Sequence, residues 1–190
     1  MINYLFILTP EIFLTLSIFL ILLIGVIKKN SYYFVNKISI FTLIILTLII
    51  FNEDNSTVKI FLDSFKRDFL GNYIKILISI GTIFVLFTSQ TFITDNKISK
   101  FEYPILILLA VLGMFFMVSS NDLILFYLGL ELQSLALYVL AAIDRDNVKS
   151  TEAGVKYFVL SALSSGLLLY GCSLLYGFTG STNFEAISDQ

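Results

Sequence analysis

The chain has no histidine, no tryptophan, one cysteine and two prolines, and only 14% of its residues are charged. Each shortage narrows the field of functions. With no His and with Cys172 alone, the chain has no set of His or Cys ligands for zinc, none for haem iron through His, and no disulfide framework. Cys172 lies inside an apolar run and reads as a small packing residue. A soluble domain carries about 25% charged residues, whereas here 57% of the residues are hydrophobic and the mean hydropathy is +0.91. Twelve Lys and Arg stand against fourteen Asp and Glu. No basic patch with interleaved aromatics occurs, so nucleic acid is not an expected partner. What fills the chain is a series of apolar runs separated by short polar turns, the pattern of an all-α membrane protein living in a lipid bilayer.

The pattern predicts six transmembrane helices, over about residues 10–27, 35–51, 73–93, 103–119, 123–143 and 153–179, with a polar tail. Thr9-Pro10-Glu11 reads as a helix start, with Thr as N-cap, Pro in the first turn and an acid on the helix dipole near the membrane face. Lys75 falls at the edge of the third span. The long connection 52–72 carries an amphipathic stretch, FLDSFKRDF, expected to lie along the membrane surface. Ser120 or Asn121 is the expected cap of the fifth helix. Lys28, Lys29, Lys37, Lys97, Lys100, Arg145 and Lys149 all fall on one side, so the positive-inside rule puts the N-terminus outside.

One run departs from pure apolarity where it matters most. Leu123 to Ile143 spans a ~30 Å hydrocarbon core at about 1.5 Å per residue, yet Glu131 sits near its middle. A carboxylate at that depth costs roughly 3 kcal/mol or more unless it is paired, hydrated or protonated. Tyr127, Ser134 and Tyr138 share its helical face at spacings of three, four and seven and offer it hydroxyls. Gly129, Ala136, Ala141 and Ala142 allow close helix contact. Lys156, about one turn inside the last span, admits two readings. It snorkels and pairs with Glu152 at i,i+4, or it joins a proton relay with Glu131. Ser161, Ser164, Ser165, Gly166 and Gly171 mark a small-residue face on the same span.

The words YLGLELQSLALYVLAA, STEAGVKYFVLSALSSGLLLYG and YGFTGSTNF resemble subunit 2 of NADH dehydrogenase, chain N of the bacterial NADH:quinone oxidoreductase, respiratory complex I. TPEIFLTL and EYPILILLAVLGMFFMVSSNDL fit the same family. Leu130, where the sister antiporter-like subunits carry Trp or Phe, favours this branch. The resemblance implies an antiporter-like, inverted-repeat bundle of which residues 1–102 supply three leading helices and 103–190 the first three helices of the first repeat. It implies that Glu131 and Lys156 are proton-relay residues. The broken helix with its lysines and the second repeat have no counterpart in these 190 residues, which fits a fragment, a split subunit or a truncated copy.

The implied function is proton translocation coupled to NADH–quinone electron transfer. No cofactor is expected in this chain, since it has no glycine-rich strand-to-helix turn. NADH, flavin, iron–sulfur clusters and quinone belong to partner subunits. The expected partners are the other membrane subunits and the C-terminal part of this one, in a bacterial inner membrane or a mitochondrial one. The alternatives are a component of a stand-alone cation/proton antiporter and a non-conducting membrane scaffold.

Overall fold

A computed structural model describes residues 7–28, 31–53, 56–95 and 98–189. Lys29, Lys97 and the first six residues lie outside the described residues. The order is α1 (Thr9–Ile27), α2 (Tyr32–Phe51), β1 (Val58–Ile60), β2 (Phe65–Arg67), α3 (Phe69–Asp95), α4 (Glu102–Val118), α5 (Leu123–Ala141), α6 (Val148–Thr179) and the short α7 (Phe184–Ser188). Among the described residues, five helices are long and apolar enough to cross a membrane. The sixth apolar helix, α4, has 17 residues, the lower end of the ~17–25 that span a bilayer.

The core gathers around α4. Ile105, Leu108, Val111, Leu112 and Phe115 of that helix meet Leu14, Ile18 and Ile21 of α1, Val35, Leu43, Leu46 and Ile50 of α2, and Leu86 of α3. Leu14, Ile18, Ile21 and Gly25 recur at four, three and four, which is one face of α1. The opposite face, with Leu16, Phe19, Leu20 and Leu23, is equally apolar but exposed, as a lipid-facing surface should be. Polar side chains link the helices inside this core. Asn36 Nδ2 on α2 donates to the Leu86 carbonyl of α3 at 3.3 Å, with Asn36 fully buried.

Between α4 and α5 the backbones themselves touch. A Cβ on Gly113 would fall 2.6 Å from Gln133 N and 2.7 Å from Gly129 O, and one on Gly129 would fall 2.9 Å from Gly113 O. Without a bilayer-driven hydrophobic effect between helices, such close approach supplies the dispersion energy that holds them. By contrast α6 rests mainly on α5, and Gly154 is its one buried residue. A Cβ on Gly154 would fall 2.5 Å from Ala142 Cβ, whereas Gly166 and Gly171 face open space. The small-residue face of α6 is therefore unpartnered among the described residues.

Three local expectations are corrected. Thr9 is not the cap of α1: that position is Leu8, with no side-chain cap bond, and the Thr9 hydroxyl donates to Glu53 Oε1 at 2.8 Å instead. The cap of α5 is Asp122, whose Oδ1 accepts from the amides of Ile124 at 2.7 Å and Leu125 at 3.4 Å. The FLDSFKRDF stretch does not lie as a surface helix. It turns through Phe61, Leu62 and Asp63 at φ of 54°, 56° and 64° into an antiparallel hairpin with Ile60 opposite Phe65. Tertiary bonds decide this against the local pattern: Lys66 N donates to Ser119 O and Asn121 N to Ser64 O, both at 2.8 Å. The hairpin thus sits on the α4–α5 turn. Lys59 forms an ion pair with Glu185, tying it also to α7.

Candidate functional site

Glu131 lies in mid-α5, nine residues into a nineteen-residue helix. The residue is half-buried, and its Oε1 is fully enclosed with no hydrogen-bond partner among the described residues. An enclosed carboxylate oxygen without a donor is a costly arrangement. Tyr138, one of the hydroxyl-bearing neighbours on its face, instead packs its ring edge-on against Tyr157 and Phe158 of α6, with centroids at 4.9 and 5.7 Å. Tyr127, one turn the other way, lines a cavity of about 460 Å³ between α5 and α6 with Cys172, Ser173, Tyr176 and Thr182. The acid stands between an aromatic clasp on one side and a cavity on the other.

Lys156 is placed on α6 with its ammonium 2.5 Å from Glu152 Oε1, an i,i+4 pair whose side chains are 68% and 56% exposed. Two contacts set the register of α6 on α5: Gly154 against Ala142, and Tyr138 against Tyr157. Lys156 is therefore level with about Leu140. Glu131 is nine residues, or roughly 13 Å of helix rise, further along. The two candidate relay residues share a helix pair but are not brought into contact.

A buried acid–lysine pair does exist elsewhere. Glu11 of α1 and Lys75 of α3 form an ion pair at 2.5 Å, each side chain 2% exposed. Lys75 also stands over the rings of Phe65 and Phe115 at 5.5 and 5.7 Å, a cation–π setting that partly replaces lost hydration. Beside it, Glu53 takes the Thr9 hydrogen bond on Oε1 and has Arg67 3.8 Å from Oε2. The sequence placed Glu11 at the interface and Lys75 at a span edge. The signal that would have found the pair is the length of α3: it begins at Phe69, so Lys75 lies almost two turns inside it.

Residues 120–190 match the family model described as NADH:quinone oxidoreductase/Mrp antiporter, transmembrane. The chain is 55% identical over 181 residues to NADH-quinone oxidoreductase subunit N of Pelagibacter ubique, covering 95% of the chain and 38% of that relative. To the subunit N of Bartonella bacilliformis it is 53% identical, covering 94% and 37%. The chain thus spans less than two fifths of these curated relatives. In structure it is similar to a chain of respiratory complex I from Thermus thermophilus with bound aureothin, with a TM-score of 0.77 and 25% identity over 92% of this chain and 38% of that one. The fold recurs in the membrane-bound sulfane sulfur reductase, an archaeal respiratory membrane complex, with a TM-score of 0.77 at 20% identity over 96% and 39%.

Proposed function

The chain belongs to the NADH-quinone oxidoreductase subunit N family, whose N-terminal part it matches, and on that premise we propose that it works as a proton-translocating piece of the membrane arm of respiratory complex I. The supporting observation is Glu131: an acid at mid-membrane with one enclosed, unpartnered oxygen. An ionisable side chain enclosed at that depth is costly to keep and marks proton pathways in membrane proteins. Lys156 is the second relay member. Since about 13 Å of helix rise separates the two, a proton passes between them through water or a third polar group.

The remaining parts of this reading follow from membership of the complex. The chain spans a bacterial inner membrane or its mitochondrial equivalent, with the N-terminus and the hairpin on the outer, positive side. Its partners are the other membrane subunits and the C-terminal part of this subunit. Redox chemistry with NADH and quinone takes place in partner subunits. The deciding experiment is Glu131→Gln in the assembled complex. Gln keeps shape and hydrogen bonding but does not titrate. The expected result is normal assembly with a sharp loss of pumping coupled to NADH oxidation, and partial activity in Glu131→Asp. Normal pumping stoichiometry in assembled Glu131→Gln leaves only the scaffold reading.

A further inference from the structure

The leading helices hold four charged groups that the proposed relay does not use. Glu53 follows α2, Glu11 lies on α1, Lys75 on α3 and Arg67 on β2, and all four are nearly excluded from solvent. Among the described residues the charges balance: two carboxylates, one ammonium, one guanidinium. The hydrogen bonds do not. Glu11 Oε2, Glu53 Oε2, Arg67 Nε and both amide atoms of Asn72 are enclosed without a hydrogen-bond partner among the described residues. Asn72 lies one turn before Lys75 on the same face of α3. Unpartnered polar atoms this close together require either water or a proton to complete them.

We propose that this cluster beneath the β-hairpin is a second proton-binding site, at which Glu53 accepts a proton from the water on the hairpin side. The bond formed is O–H on Glu53 Oε2, the oxygen that faces Arg67 without a hydrogen bond. The proton comes from water and returns there, and the cluster moves from neutral to a single positive charge. Access is through Glu53 and Arg67, whose side chains keep 8% and 11% exposure, against 2% for Glu11 and Lys75 behind them. The surroundings are consistent with this. Burial pushes the Glu53 carboxyl above the ordinary carboxylate range. The Thr9 hydrogen bond and the charges of Arg67 and Lys75 pull it back, while Glu11 pushes it up again. The ammonium and the carboxylate of the inner pair therefore act on Glu53 with opposite signs, and that opposition is the measurable mark of the site.

The test is an infrared pH titration of the assembled complex, reading the protonated-carboxyl stretch that disappears in Glu53→Gln. In the wild type that band should titrate above the ordinary carboxylate range. Glu11→Gln should lower its midpoint and Lys75→Met should raise it, each on the order of one pH unit for a nearby charge. If Glu53→Gln does not assemble, Glu53→Asp identifies the band by shifting it. A Glu53 band confined to the ordinary range, or a midpoint that moves the same way or not at all in the two inner variants, overturns the site. The readout needs no pumping. Failure of the Glu131 relay and failure of this site therefore give different results.

Discussion

Glu11 and Lys75 stand 64 residues apart in the chain and 2.5 Å apart in space, both enclosed between α1, α3 and the rings of Phe65 and Phe115. At 2% exposure each, neither charge is reached by bulk water. Removing one partner strands the other, which typically costs about 3–5 kcal/mol, whereas removing both with apolar or neutral groups of similar volume is often close to neutral. Lys75→Met or Glu11→Gln alone should therefore destabilise the subunit by several times more than the double variant. Unfolding of the detergent-solubilised subunit by denaturant measures it. A double variant as unstable as the sum of the singles would show that the two side chains act separately.

The α4–α5 seam should be intolerant of a single methyl. In Gly113→Ala the new carbon meets backbone atoms of Gln133 and Gly129, not the yielding end of a side chain. The helices have to part, at about 1–3 kcal/mol for overpacking of this kind. The expected readout is a lower denaturation midpoint, together with a shift in the environment of Glu131, which lies half a turn from both contacts.

The hairpin's tie to α7 should be bounded by pH on both sides. The hydrogen bond to Lys59 holds the Glu185 carboxyl below its ordinary value, and the same bond raises Lys59 above its own. For Glu185 the stabilisation is present above the ordinary carboxylate value and lost as pH falls through the depressed one. For Lys59 it is present below the ordinary lysine value and lost as pH rises through the raised one. Between these limits the tie is intact. Protection of the Val58–Ile60 amides, measured as exchange relative to the intrinsic rate at each pH, should be greatest there and should fall in acid and in high salt. Lys59→Met should flatten both responses.

Lys156 separates its two roles by charge. If it relays protons, Lys156→Met lowers pumping in an assembled complex while Lys156→Arg behaves differently from it. If it only pairs with Glu152 at the surface, both variants pump normally, because an exposed i,i+4 pair contributes only a few tenths of a kcal/mol. Pumping stoichiometry in proteoliposomes decides.

The six apolar helices and the mid-helix position of Glu131 were legible because length and hydropathy set them locally. Boundaries failed where local chemistry misled. The sequence pattern starts the third span at about Tyr73, with Lys75 at its edge. The helix in fact starts at Phe69, with the Asp68 carboxylate accepting from the Gly71 amide at 2.7 Å. The hairpin was hidden because Phe61, Phe65 and Phe69 recur every four residues, as on one face of a helix. Only bonds to Ser119 and Asn121, more than fifty residues away, reveal strands there. The separation of Lys156 from Glu131 was likewise invisible, since it depends on how α6 is keyed onto α5 by Gly154 and Tyr157.

The length of α6 sets a limit on where Lys156 can do its work. Thirty-two residues rise about 48 Å, against a hydrocarbon slab of ~30 Å. Tilt alone would have to exceed the ~40° seen at the extreme for transmembrane helices. The helix must overshoot the slab, and the end that leaves it is the polar one, Val148 to Gly154. Lys156 then rides at the waterline, where headgroup charge and ionic strength reach it directly. An acid fixed in the slab and a base at its rim would respond to different variables: Glu131 to helix packing, Lys156 to the lipid composition of the leaflet beside it.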